Sequence, residues 1–379
     1  MTNMGHARGA SGAVTLFVCG DVMTGRGIDQ ALPHPCSPEL YESYVHDARD
    51  YVSLAEAANG AIPRPVEFPY IWGAALEELT RFAPEVRLVN LETAITRHDA
   101  PWPTKGINYR MHPDNAPCLK AAGINCCALA NNHVLDWGRE GLDDTCRVLD
   151  RLGIARCGAG QDESEAMRPA CLEPVPGNRV LVWSIGSTDS GIPADWAAGP
   201  KRPGVWLARK ASARGAEVLA ERIGAEKRPG DLAVVSIHWG GNWGYRIPNG
   251  HRAFARRLVE AGADLIHGHS SHHPRGMELY RGRPILYGCG DFINDYEGIG
   301  GHEEFRPELT LMYFLRFAPG TDAPPEMWMT PLRMARFSLH RADADDTRWL
   351  LDLLNRESHR DMPRFSLDAE GRLFVRLPH

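Results

Sequence analysis

Residues 232–240, LAVVSIHWG, and 263–269, ADLIHGH, are apolar runs that each end at or beside a histidine, and between them NGHRAFARRLVEAG (249–262) sets its apolar residues at helical spacing. The reading is strand, helix, strand. The same alternation continues outward in both directions. VTLFVCGD (14–21), VRLVNLE (86–92), INCCALANNH (124–133) and RVLVWSIGS (179–187) read as strands. FPYIWGAALEELTRF (68–82), GREGLDDTCRVLDRLG (138–153) and ARKASARGAEVLAERIG (208–224) carry the helical pattern. Most of the strands are near-continuously apolar, as strands covered on both faces must be. The fold class is α/β.

The small, polar opening MTNMGHARGASG reads as a flexible tail, 1–12. Region 31–69 holds several prolines and one helical pattern, ELYESYVHDARDYVSLAEAA (39–58), and reads as a lid or surface excursion. After RPELTLMYFLRF (306–317) the proline-rich APGTDAPPE (318–326) marks a break. A helix in DTRWLLDLLNRE (346–357) and a hairpin turn at Glu370-Gly371 follow. The organisation is a tail 1–12, a main domain 13–315 and a small C-terminal α+β extension, 316–379, packed on the core.

A hydrophobic share of 43% and a charged share of 24% suit a globular protein with a full core. The formal net charge of -6, with no basic run, gives no footprint for nucleic acid. VTLFVC is too short for a membrane span or a secretory core, so the expectation is a cytoplasmic chain with no membrane anchor. The nine cysteines form no CxxC pair and read as reduced core thiols. Any metal here is expected on nitrogen and oxygen ligands.

Asp21, Glu92, Asn132, His133, His238 and His269 each stand at the carboxyl end of an apolar run. Loops beyond those ends converge on the ligand in α/β sheets. Taken singly, Asp and Asn there terminate strands or cap helices, and a lone histidine is commonly a satisfied structural residue. Taken together, they would crowd charge and donors into one crevice unless a cation compensates. Mixed imidazole and carboxylate ligation suits one or two divalent ions, Mn, Fe or Zn, rather than Ca. In LIHGHSSHHP (265–274), His269 ends the strand and His272 lies three residues on, so a turn can aim both at one centre. His267 shares the face of His269 by alternation and stays open as an alternative, while His273 reads as a supporting or surface residue.

GDVMTGR (20–26), NLETAIT (90–96), ANNHVLDWGREGL (130–142), HWG (238–240), GHSSHHPRGME (268–278) and PILYGCGDF (284–292) resemble the signature blocks of the CapA/PgsA poly-γ-glutamate synthesis protein family. That family is similar to the calcineurin-like metallophosphoesterases. The resemblance implies a four-layer αββα sandwich of metallophosphoesterase type carrying a dinuclear metal centre. It implies Asp21 on one metal, Glu92 bridging both, Asn132, His238 and His269 completing the second and His272 the first. His133 would be the general acid, oriented by Asp136. Four positions depart from the pattern: Met23 replaces a metal-binding histidine, Asn242 stands where a Glu is frequent, His251 lies near a usual Gln, and Asp291 replaces a common Asn. A thioether serves hard cations poorly, which weakens the first site.

Arg26 and Arg110 are candidates for gripping an anion with a guanidinium fork. Trp239 and Trp243 could wall the cleft, and Asn242 joins Arg26, Arg110 and Trp239 as an expected substrate-binding residue. The function expected is a hydrolase in which metal-activated water attacks a phosphoester or an amide/ester bond in a small or polyglutamate-like anionic substrate. The alternative is a non-catalytic polyglutamate-binding or synthetase-associated capsule synthesis component.

Overall fold

The computed structural model describes residues 12–377; apart from Gly12, the expected N-terminal tail lies outside the described residues. Strands β1 (Val14–Val22), β2 (Val86–Leu91), β3 (Cys126–Ala128) and β4 (Ala155–Cys157) pair in parallel, in that order, and begin one sheet. The chain then builds a second sheet from β5 (Ala170–Val175), β6 (Asn178–Ser187), β7 (Leu207–Ala208), β8 (Leu232–His238), β9 (Leu265–His269), β10 (Met277–Tyr280) and β11 (Arg283–Leu286). Its order is β7-β6-β8-β9-β11-β10, with β5 antiparallel to β6. The stretch that opened the reading is this sheet's centre, with β8 and β9 parallel and in register from Val234–Leu265 to His238–His269.

The chain returns to the first sheet with β12 (Asp291–Ile293), β13 (Leu309–Phe317), β14 (Glu326–Ala335), β15 (Ser338–Arg341), β16 (Ser366–Leu367) and β17 (Leu373–Val375). β12 lies parallel to the carboxyl half of β1, and β13 antiparallel to its amino half. Residues 316–377 therefore add strands to an existing sheet rather than making one of their own. Helix Ala344–Glu357 buries Leu350, Leu353 and Leu354 in a core that also holds residues of both sheets.

Alternation along the strands divides the apolar residues among three cores. Val14, Leu16 and Val18 of β1 share one core with Leu232 and Val234 of β8 and Leu265 of β9, joining the two sheets. Phe17 and Cys19 of β1 instead meet helices Arg26–Ala31, Arg49–Asn59, Ala75–Phe82 and Gly138–Arg151. Ala233, Val235 and Ile237 of β8 meet helices Glu217–Glu226 and Asn249–Glu260. The helix expected over 208–224 starts late: the Ser212 hydroxyl accepts from the Gly215 N–H and holds a 3-10 turn, Ala213–Ala216, before the α-helix begins.

The pattern continues past the apolar zone. Ser236 and His238 follow Val234 on the side facing the first sheet, and His267 and His269 follow Leu265 there. On the opposing strand, the register of β1 against β2 shifts between Val18 and Asp21. Such an irregularity re-aims the side chains that follow it. Gly20 is required at that point, since a Cβ would stand 1.8 Å from the Gly290 carbonyl oxygen. Apolar packing thus gives way to polar groups where the carboxyl ends of β1, β2, β8 and β9 meet.

Candidate metal centre

Asp21, His238 and His269 bring ligand atoms within 4.8 Å of one another, all buried. His269 Nδ1 is 3.8 Å from Asp21 Oδ1 and 2.8 Å from His238 Nδ1. Glu92, next after β2, places Oε2 3.9 Å from His238 Nδ1 and Oε1 3.8 Å from His133 Nε2. Asn90 ties the two carboxylates together, its amide donating to Asp21 Oδ1 at 2.8 Å and to Glu92 Oε2 at 2.9 Å. Asn131 in turn donates to Asn90 Oδ1 and to the Leu91 carbonyl, fixing the loop that carries Asn132 and His133. The Asn132 Oδ1 is buried with no hydrogen-bond partner among the described residues.

These groups are electrostatically uncomfortable as they stand. Burial, then the charge of Asp291, lifts the Asp21 carboxyl from 3.8 to about 7. Burial, then Asp21, pushes Glu92 well above the usual carboxylate range. Burial holds His238 and His269 well below the imidazole range, with neighbouring histidines adding to it. Carboxylates reluctant to ionise and imidazoles reluctant to protonate, gathered this closely, are groups whose charges a bound cation would compensate. The donor set fits a divalent Mn, Fe or Zn ion.

His133 sits beside this cluster with Nδ1 2.7 Å from Asp136 Oδ2. Asp136 also accepts from the Tyr109 N–H at 2.7 Å and from Lys105. The Lys105 ammonium, 3.0 Å from His133 Nδ1, also donates to the Asn132 carbonyl. Burial, opposed by Asp136, lowers the His133 imidazole to about 4. Lys105, Asn90, Asn131 and Ser236 escaped the sequence reading. Asn90 and Ser236 were legible by alternation, two residues before Glu92 and His238; Lys105 comes from an irregular loop that carries no such signal.

His272 stands apart from the Asp21, His238 and His269 group. Its Nδ1 lies 2.8 Å from Asp291 Oδ1, and Asp291 is the backbone partner of Asp21. Against the lowering effect of burial, Asp291 raises the His272 pKa. Met23 is fully buried and receives the Tyr296 hydroxyl at 3.6 Å from its sulfur.

Of the four residues expected to meet substrate, Arg26, Arg110 and Trp239 have polar side-chain groups engaged within the protein among the described residues, and Asn242 does not. The Arg26 guanidinium, buried, spends its donors on Asp295, Glu42 and the Tyr51 hydroxyl. Arg110 donates to the carbonyls of His98 and Ser37 and lies 3.8 Å over the Trp137 ring. Trp239 is fully buried, stacked on His251 at 4.7 Å, with its indole N–H on the Tyr287 carbonyl. Asn242 has an exposed side chain and offers its backbone carbonyl to the His272 N–H. A buried guanidinium needs its own counter-charges, and an indole of this size fills core volume, so sequence spacing alone does not reveal the partners of Arg26 and Trp239. Trp243, by contrast, stacks on His302 at 3.8 Å and reaches His272 at 5.4 Å.

A two-sheet α/β protein with buried carboxylates, imidazoles and an amide meeting at strand ends is the class that fold and site define. The chain belongs to the bacterial capsule synthesis protein PGA_cap family, which matches residues 15–296. It is 51% identical over 348 residues, 92% of each chain, to a probable polyglutamine synthesis accessory protein of Mycobacterium tuberculosis (strain H37Rv). It is 31% identical over 213 residues to the PGA biosynthesis protein CapA of Bacillus subtilis, covering 56% of this chain and 52% of that one. To the capsule biosynthesis protein CapA of Bacillus anthracis the identity is 30% over 216 residues, 56% and 49% of the two chains. Among the described residues no helix is long and apolar enough to cross a membrane.

Proposed function

We propose that the protein is a metal-dependent hydrolase acting in the cytoplasm on a phosphoester or an amide/ester bond of a small or polyglutamate-like anionic substrate. Residues 13–315 form its catalytic domain, a four-layer αββα sandwich of metallophosphoesterase type, with 316–379 as the extension. The observation that carries the reading is the buried convergence of Asp21, Glu92, His238 and His269, with the Asn132 Oδ1 of the adjoining loop buried and unpaired. Asp21, Glu92, Asn132, His238 and His269 would hold one ion, and His272 would serve a second. A bound divalent ion supplies Lewis acidity and lowers the pKa of water at neutral pH.

The chain's own residues do the rest. Asp136 fixes the ring of His133 through Nδ1, so Nε2 faces the cluster, where it takes up or delivers the proton of the reacting group. Lys105 and the Tyr109 N–H hold Asp136 in turn. The polyglutamate-like substrate class rests on the resemblance to poly-γ-glutamate synthesis proteins, together with relatives named for polyglutamine synthesis and PGA biosynthesis. The word "accessory" in the mycobacterial name supports a second reading, a polyglutamate-binding component without turnover.

The test pairs metal analysis with a hydrolysis screen over phosphodiester, phosphomonoester and γ-glutamyl amide probes. Hydrolysis that disappears in His133→Ala while the metal stays supports the first reading. Metal without turnover on any probe supports the second, and a protein that takes up no metal removes both.

A further inference from the structure

His267, which alternation left unresolved, is fully buried and touches no carboxylate among its hydrogen-bond partners: Nε2 lies 2.7 Å from the Cys19 carbonyl oxygen and Nδ1 lies 3.1 Å from Ser236 Oγ. The same Ser236 oxygen lies 2.9 Å from His269 Nε2. These contacts span both sheets, because Cys19 belongs to β1, Ser236 to β8 and the two histidines to β9.

The chemistry of each group leaves one direction. A carbonyl oxygen only accepts, so His267 donates from Nε2–H. An imidazole with no exposure, whose hydrogen-bond partners are a carbonyl and a hydroxyl and no carboxylate, stays neutral. Its Nδ1 is then a bare acceptor, and the Ser236 hydroxyl must donate to it. That leaves the Ser236 oxygen to accept from His269 Nε2–H. With Nε2 protonated, neutral His269 presents a bare Nδ1, the atom 2.8 Å from His238 Nδ1 and 3.8 Å from Asp21 Oδ1.

We propose that the Cys19 carbonyl, His267 and Ser236 form a directional hydrogen-bond relay that fixes the tautomer of His269, aiming the Nδ1 lone pair at a divalent cation held with Asp21 and His238. His267 and Ser236 are positioning residues that act through His269. The inference rests on the cation-binding part of the proposed function. It also accounts for the two facing nitrogens of His238 and His269. With His269 Nδ1 bare, the hydrogen between them belongs to His238, and for a neutral His238 to turn a lone pair at Nδ1 toward a cation that hydrogen would have to sit on its Nε2 instead.

The wild-type protein, labelled with 15N at histidine and freed of metal, gives the direct readout. Long-range 15N–1H correlation is expected to show His269 protonated at Nε2 and bare at Nδ1, assigned by the signal lost in His269→Gln. Protonation at Nδ1 overturns the relay, whether or not any variant folds. Ser236→Ala, which removes the acceptor, is expected to bind Mn or Zn about 10- to 100-fold more weakly, with Ser236→Thr restoring affinity. Unchanged affinity in Ser236→Ala overturns the proposal. A wild type that binds no ion sinks the hydrolase reading by a separate result, and the tautomer measured in the same metal-free protein still decides the relay.

Discussion

The two flanks of the cleft are built differently. On one, β8 and β9 run in register, so that Ser236 lies beside His267 and His238 beside His269, and the Ser236 hydroxyl joins the two imidazoles of β9. On the other, β1 and β12 set Asp21 beside Asp291, while His272 arrives from a turn and rests on Asp291, and Met23 occupies buried space nearby. A position built by sheet register is held by the whole core behind it. A position built by a turn is held by one carboxylate, which is Asp291 here, and its neighbour Met23 offers a soft thioether. The strand flank should therefore bind its ion more tightly than the turn flank.

The largest expected effect falls on the strand flank. His238→Ala and His269→Ala should each abolish stoichiometric metal, measured by elemental analysis after dialysis, because each removes a donor that the buried cluster cannot replace. Next, His133→Ala should leave metal content intact and lower turnover of whichever probe is hydrolysed by about 10²- to 10⁴-fold, the usual loss of a proton-transfer group. If metal falls as well, His133 belongs to the ligand set and the division between flanks must be redrawn.

A smaller change is expected on the turn flank. Asp291→Ala should weaken binding of a second equivalent of Mn or Zn about 10- to 100-fold without displacing the first, as read by stepwise titration. Asp291→Asn, which keeps an acceptor for His272, should do less. Equal losses from Asp291→Ala and His269→Ala would erase the distinction drawn here.

The last effect is one of stability. In the folded protein Asp21 holds its proton up to about pH 7, whereas its ordinary value is 3.8. The fold thus binds more protons than the unfolded chain between these values, and the stability this contributes below pH 4 is lost as pH rises toward 7. Metal-free Asp21→Asn, which cannot ionise there, should gain in Tm over metal-free wild type across that window. A constant Tm difference would show that Asp21 does not titrate in the fold as its surroundings demand.

Much of this arrangement was readable in the chain. The apolar runs of β1, β2, β6, β8 and β9 and the polar residues at their ends gave the α/β class and brought Asp21, Glu92, Asn132, His133, His238 and His269 into one neighbourhood. Strand alternation is a strict rule, so Ser236 and His267 were within its reach. What alternation cannot supply is the partner across the other sheet: the Cys19 carbonyl facing His267 depends on how the sheets stack. The partners of Arg26 and Arg110 were out of reach for a related reason, because Asp295 and Glu42 for one and backbone carbonyls for the other lie far away in sequence or in irregular loops. The C-terminal strands join the first sheet through β13, whose antiparallel pairing with β1 a local pattern does not reveal.

Anomalous diffraction at the metal's absorption edge, from crystals of wild-type protein supplied with Mn or Zn, tests the central claim most directly. Expected is a strong peak bonded to His269 Nδ1 and His238 Nδ1, with Asp21 and the Asn132 Oδ1 around it. A peak that avoids these four residues, or none at saturating metal, contradicts a metal centre at this junction of the sheets.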